Sequence, residues 1–325
     1  MRIDAMPSAR LAVLDFARGF AVVTMAVYHL SWDLSWFGFV DWQVAQGIGW
    51  RTFAAAIAGS FLFLAGISLD LAHHKGIRWK AFLRRLAIIV AAAGAVSLAT
   101  YFTFGDSFVR FGILHSIAAS SLVALPFVRA QAWIAAAAAA FVLTLPLWAR
   151  SFVFNGQLWL WTGLGTPDYG SVDYVPLTPW AGVTLAGLAV SKLFRTSGIW
   201  QRLSVFQLSD PFGRFTRLVG RHSLSIYLLH QPVLYGLVWS ATLVTPELDR
   251  AERAFFRNCK VACQDSLGSP DICEAACTCT LAQLKADDLW TSLNEEPENQ
   301  ALLSRMRTAY TQCLADPETR PGTVN

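Results

Sequence analysis

Long apolar runs separated by short basic stretches fill the first three quarters of the chain. A membrane-spanning helix needs about 20 mostly apolar residues. Seven segments meet or approach that length: 11–31, 50–71, 84–104, 111–128, 131–148, 179–194 and 222–244. The fifth contains the alanine run Ala135 to Ala140, which suits a membrane helix. The stretch 151–165 (SFVFNGQLWLWTGLG) is apolar and aromatic, but short and broken by glycines. It reads as an interfacial or re-entrant element, or as an eighth span. Beyond residue 245 the pattern gives way to shorter, charged segments with cysteines.

Composition agrees with the pattern. The 325 residues are 54% hydrophobic and 15% charged, against about 25% charged in a soluble domain. Residues 1–245 hold 18 Lys/Arg and nine acids, all Asp; residues 246–325 hold eight Lys/Arg, 13 acids and all six cysteines. The split predicts a membrane domain over 1–245 and a water-exposed tail over 246–325. The expected fold class is therefore an all-α polytopic membrane protein, with about seven transmembrane helices and a small disulfide-stapled α-helical tail. The first apolar stretch is interrupted by Asp15 and Arg18 and lacks a small-residue cleavage site, so it reads as a retained helix. The basic residues flank spans, which topology explains without a nucleic-acid partner.

Cytoplasmic loops carry an excess of Lys and Arg. With seven spans and the N-terminus inside, 14 basic residues face the cytoplasm, among them Arg2, Arg10 and the cluster Lys75 to Arg85. Only Arg51, Arg110 and Arg150 fall in external loops. A multi-pass plasma (inner) membrane protein follows, with its tail outside the cytoplasm. Cys259, Cys263, Cys273 and Cys277 form two C-x3-C pairs, and cysteines four apart share one helix face. With Gly268-Ser269-Pro270 as the turn, two antiparallel helices stapled by Cys259–Cys277 and Cys263–Cys273 follow, and Cys279 and Cys313 offer a third bridge. An oxidising compartment is required. The rival is a four-cysteine zinc site, which an extra span through 151–165 would favour.

The first apolar segment, LDFARGFAVVTMAVYHLSWDL, carries Asp15, Arg18, His29 and Asp33. A charged side chain at the centre of a span costs about 2.5–3.5 kcal/mol on insertion scales, so such groups usually serve a function. Eleven residues place Arg18 and His29 near one helix face, about 16 Å apart along the axis. Asp15 precedes Arg18 by three residues and Asp33 follows His29 by four, which sets both acids near the same stripe. The bland alternative is a snorkelling Arg18 neutralised by Asp15, and a His29 bonded to a neighbouring helix.

The residues Arg18-Gly19-Phe20 through Tyr28-His29 resemble the first-helix signature of the transmembrane acyltransferase superfamily, which includes the acyltransferase-3 proteins. The fuller string is most similar to the bacterial branch related to heparan-alpha-glucosaminide N-acetyltransferase. Gly59 to Leu69, Arg110-Phe111-Gly112-Ile113-Leu114-His115, Asp173 to Trp180 and Ser223 to Pro232 resemble that branch in order, over about residues 8–240. The resemblance implies acyl transfer, typically of acetyl from acetyl-CoA on the cytoplasmic side, to an amine or hydroxyl of an extracytoplasmic glycan or amino sugar. It fits a catalytic pair of His29 as general base and Asp33 as its orienting acid. Arg18, with Asp15, would meet the donor. Arg110, His115, Asp173, Tyr174, Trp180 and His230 become candidates for substrate binding.

Each of these has a plainer reading: an interfacial anchor for Arg110, helix-bonding histidines at 115 and 230, and an aromatic belt for the loop 150–178 with Trp159, Trp161, Asp168 and Tyr169. Arg84 and Arg85 suit donor phosphates, although topology alone explains them. The other function classes are a proton-coupled transporter using the buried His/Asp pair, and a scaffold whose tail engages envelope partners. Fewer spans than in larger superfamily members suggests a homo-oligomer. No metal is expected, and no P-loop, dinucleotide fingerprint, HExxH or nucleophile elbow occurs.

Overall fold

The structure is a computed structural model that describes residues 11–40, 42–44, 47–166, 170–245, 250–267 and 269–315. Asp168, Tyr169, Arg2, Arg10 and Gly268 lie outside the described residues. The chain is helical: α1 Ala12–Trp36, α2 Ile48–His73, α3 Trp79–Phe104, α4 Ile113–Ala124, α5 Ala132–Trp148, α6 Leu177–Thr196, α7 Ile199–Leu203, α8 Pro211–Arg221 and α9 Ser223–Leu243. The C-terminal region adds α10 Arg250–Leu267, α11 Pro270–Ala286, α12 Leu289–Glu295 and α13 Gln300–Ala315. Each of the seven expected segments falls on a helix. Among the described residues, four helices are long and apolar enough to cross a membrane: α1, α2, α3 with its one-turn extension, and α6. The stretch Ile113–Val128 and α5 are apolar but shorter. Helix α9 has the length, but His230, Gln231 and Pro232 interrupt its apolar run. Residues 151–165 form two short 3-10 turns, Phe152–Asn155 and Gln157–Thr162, and so make no eighth helix.

The chain divides into two compact units. The first comprises the described residues of 11–29 and 47–233. Its centre is α6, which packs on α5, α2 and α4. Small residues bring these helices close, as is usual where lipid removes the hydrophobic drive between helices. A Cβ on Gly66 would lie 1.9 Å from the Thr184 carbonyl oxygen, and one on Gly187 would lie 2.1 Å from that of Phe63. The same helices share a buried ion cluster. Asp70 is wholly buried; Ser191 donates to its Oδ2 at 2.8 Å, and Arg195 and Lys192 lie 3.3 and 3.9 Å from its Oδ1. Lys192 also donates to the carbonyls of Val128 and Ala130, satisfying the chain end that follows α4.

The second unit comprises the described residues of 30–44 and 234–315. Disulfides join Cys259–Cys277, Cys263–Cys273 and Cys279–Cys313, the pairing expected from the spacing. All six thiols are consumed, which overturns the zinc alternative for these cysteines. Leu284, Leu289, Leu293 and Ala309 form the small core of this unit, backed by Phe255 and Trp290. Arg253 and Arg257, one turn apart on α10, donate to the carbonyls of Gly38 and Ser35 at the end of α1. The Ser35 carbonyl also accepts from Gly38 N at 3.1 Å, so Arg257 adds a second donor in the last turn of α1 while Arg253 holds the residue just past it.

Candidate functional site

Arg18 sits two turns into α1, and Arg84 and Arg85 lie in the first two turns of α3. The first unit folds all three onto one cavity of about 460 Å³. Its remaining lining is mostly apolar, with Phe61, Leu64, Ile88, Ile89, Ile113 and Tyr227, and includes Ser68 and Ser223. Arg18 is held in place from two sides. Its Nη1 lies 3.2 Å from Asp15 Oδ1, and its Nη2 donates to Ser68 Oγ at 2.7 Å. Ser68 in turn donates to the Leu64 carbonyl. The second oxygen of Asp15 takes Arg221 Nε at 3.3 Å. Arg84 and Arg85 form no ion pair among the described residues. An apolar pocket with three arginines in its lining suits a ligand that joins an anionic group to an apolar body.

Gly19, beside Arg18, has a separate reason to be glycine. A Cβ there would lie 1.8 Å from the Thr216 carbonyl oxygen, and one on Gly220 would lie 1.7 Å from that of Asp15. Helix α8 therefore crosses α1 with backbone against backbone at the level of the Asp15–Arg18 pair. Asp210 caps α8, accepting from Gly213 N at 3.0 Å, and Pro211 starts it.

Further along α1, about 16 Å from Arg18 by helix rise, His29 meets His230 of α9. Their ring centroids are 4.9 Å apart with the planes at 71°. His230 Nδ1 donates to the Tyr227 carbonyl oxygen at 2.7 Å. The Tyr227 side chain lines the cavity, 6.4 Å from the Phe61 ring. Tyr227 thus belongs both to the cavity wall and to the support of the histidine pair. Asp33 is wholly buried and belongs to the second unit.

Two of the resembling segments meet in space. Phe111 and Tyr174 form a β-bridge, with Val175 N donating to the Phe111 carbonyl at 2.9 Å. Asp173 Oδ2 accepts from Ile113 N at 3.1 Å, at the open N-terminus of α4. Gly112 is required beside it, since a Cβ there would lie 2.3 Å from Asp173 Oδ2. Burial pushes the Asp173 carboxyl up to about 6, against the opposing effect of that backbone donor. The residue as a whole is half-buried. His115 Nδ1 accepts from Gly112 N at 3.3 Å, and its ring lies 5.5 Å from Phe111. Tyr174 donates its hydroxyl to the Leu160 carbonyl, and Trp180 packs against Leu62, Ile113 and Val175. Arg110 lies over the Phe108 ring and donates to the Asp106 carbonyl.

Of the residues singled out in the sequence, the structure places Arg18 in the cavity lining with Asp15 as its ion-pair partner, and brings the His29 ring against that of His230. It gathers Arg110, His115, Asp173, Tyr174 and Trp180 around the start of α4. Sequence reasoning missed Ser68, Tyr227 and the Asp70 cluster as partners. Ser68 and Tyr227 lie inside segments already singled out, and a lone acid in a long apolar run was the available signal for Asp70.

An all-helical chain with several bilayer-length helices around such a cavity is an integral membrane protein. A family model described as heparan-alpha-glucosaminide N-acetyltransferase, catalytic, matches residues 10–232, and the chain belongs to that family. Membership implies a membrane-bound acetyltransferase. The match ends before the disulfide-bonded helices. No curated protein and no solved structure matches the chain.

Proposed function

We propose that the protein transfers an acetyl group from acetyl-CoA, met on the cytoplasmic side, to an amine or hydroxyl of an extracytoplasmic glycan, with His29 as general base. The observation that carries this reading is the cavity that joins Arg18, Arg84 and Arg85 to an apolar wall. Its volume lies within the range of about 300–1,000 Å³ usual for small-molecule sites. The three guanidiniums would hold the phosphates of the donor and the apolar wall its slender arm. A bound thioester supplies an acyl carbon open to a nucleophile. His29 removes the proton of that nucleophile, a contribution of about 10²–10⁴-fold. Asp15 keeps Arg18 aimed, and Asp33, one turn beyond His29 in sequence, is its candidate orienting acid.

In this reading α4 with its 3-10 extension, α5 and α9 complete a bundle of seven crossings. Arg18, Arg84 and Arg85 then lie toward the cytoplasm, and the tail stands in an oxidising compartment. The layer around the start of α4 is the candidate acceptor side, with Arg110, His115, Asp173, Tyr174 and Trp180. Donor binding tests the assignment of the cavity. Arg84→Ala combined with Arg85→Ala should weaken acetyl-CoA binding in nanodiscs about 10–100-fold, the loss expected for charge-assisted hydrogen bonds. An unchanged affinity would remove the cavity from the account.

A further inference from the structure

His29 acting as a base leaves a question: which group shares its charge once it has taken a proton. The neighbour at hand is His230, its ring centroid 4.9 Å away. The Tyr227 carbonyl oxygen, 2.7 Å from His230 Nδ1, can only accept, so the ring hydrogen sits on Nδ1. Nε2 is then a bare lone pair. It is buried and meets no hydrogen-bond partner among the described residues. A buried acceptor without a donor is costly, and a donor that arrives during turnover accounts for keeping one here.

We propose that His230 is the positioning residue of the base: its Nε2 accepts the second N–H of the protonated His29, and the two imidazoles share the proton. This rests on the reading of His29 as general base. The N–H or O–H bond of the acceptor breaks as its electron pair bonds to the acyl carbon, and the proton passes to the free nitrogen of His29. The other N–H of His29 turns to His230 Nε2 by rotation of the His29 side chain, the His230 ring staying on the Tyr227 carbonyl with its centroid 4.9 Å away. The C–S bond of the donor breaks with its electron pair on sulfur, which takes the proton from His29. The pair ends the cycle as it began. Among the described residues, the rings of Tyr28 on α1 and Tyr227 on α9 face the pair, and both interact electrostatically with Asp173 from the connection before α6, while Asp33 follows His29 by four residues in sequence. The aromatic faces of Trp50 and Phe53 reach Tyr28 from α2.

The test is a pH–rate profile in nanodiscs, with radiolabelled acetyl-CoA and glucosamine as the acceptor probe, for the wild type, His29→Ala, His230→Ala and His230→Gln. His230→Ala should lower kcat about 10–100-fold with KM for acetyl-CoA little changed. It should also move the acidic limb to lower pH, because the His29 cation loses its acceptor. Added imidazole should restore part of the rate in His230→Ala but not in His29→Ala. His230→Gln, whose amide oxygen still accepts, should fall between, and it decides the matter if His230→Ala does not bind acetyl-CoA. Wild-type rates and limbs in both His230 variants, with His29→Ala inactive, overturn the inference alone. An active His29→Ala, or a wild type without transfer, overturns the reading beneath it.

Discussion

Asp173 Oδ2 accepts a hydrogen bond from the backbone N–H of Ile113 at 3.1 Å, although sixty residues separate them in the chain. The first N–H groups of a helix have no intrahelical partner, and a carboxylate from a distant loop supplies one here. The contact ties the loop before α6 to the start of α4.

Burial of that carboxyl, which outweighs the opposing backbone donor, makes stability depend on pH in a specific window. Burial raises the Asp173 carboxyl from its ordinary 3.8 to about 6, so the folded state holds its proton more tightly than the unfolded chain. Stability from this group is fully present below about pH 4 and is lost as pH rises through about 6. Asp173→Asn keeps an oxygen for Ile113 N–H and removes the titration. The difference in Tm, wild type minus variant, should fall between pH 4 and 6.5. Parallel profiles would show that Asp173 is not the titrating group.

The α1–α8 crossing admits no side chain. Gly19→Ala or Gly220→Ala drives a methyl into a carbonyl oxygen of the facing helix. Overpacking of this kind costs about 1–3 kcal/mol. Because the crossing holds the level of Asp15 and Arg18, acetyl-CoA affinity should drop along with Tm in detergent. A neutral substitution at both positions would contradict the close packing.

Asp70 is wholly buried between Ser191, Lys192 and Arg195. Asp70→Ala leaves two cations facing a vacated site, at a cost of about 3–5 kcal/mol for breaking a buried pair. Thermal unfolding should show a large loss, with Asp70→Asn less affected because Ser191 keeps an acceptor. Equal, small effects would mean that the cluster contributes little.

The Cys279–Cys313 bridge closes a loop of 34 residues by sequence separation. Chain-entropy arguments assign such a bridge about 3–4 kcal/mol. Replacing both cysteines by serine should lower the unfolding temperature of the second unit, read by circular dichroism or proteolysis at α13. Unaltered protection would place the stability of that unit in its Leu284–Leu293 core instead.

The helices were legible because an apolar run in a membrane chain has few alternatives, and the cysteine pairing because C-x3-C spacing fixes one helix face. Span number was less so: α9 combines a bilayer length with His230, Gln231 and Pro232, and segment 151–165 has span-like composition without span-like length. At the site, one helix carries Asp15, Arg18 and His29, so their common stripe was visible. The meeting of His29 with His230, or of Arg18 with Arg84 and Arg85, arises from packing across helices and leaves no local spacing to read. Arg84 and Arg85 were masked further, since a cytoplasmic basic loop explains them equally well. Gly19 read as part of a motif, whereas its physical cause is the carbonyl of Thr216.

His29 as the base of an acetyl transfer, served by the cavity that Arg18, Arg84 and Arg85 line, can be tested directly. The most direct measurement uses purified protein in lipid with radiolabelled acetyl-CoA and cell-envelope glycans, comparing the wild type with His29→Ala. The account predicts labelled glycan from the wild type and a loss of about 10²-fold or more in the variant, with acetyl-CoA binding retained. Equal labelling by the two proteins would contradict it.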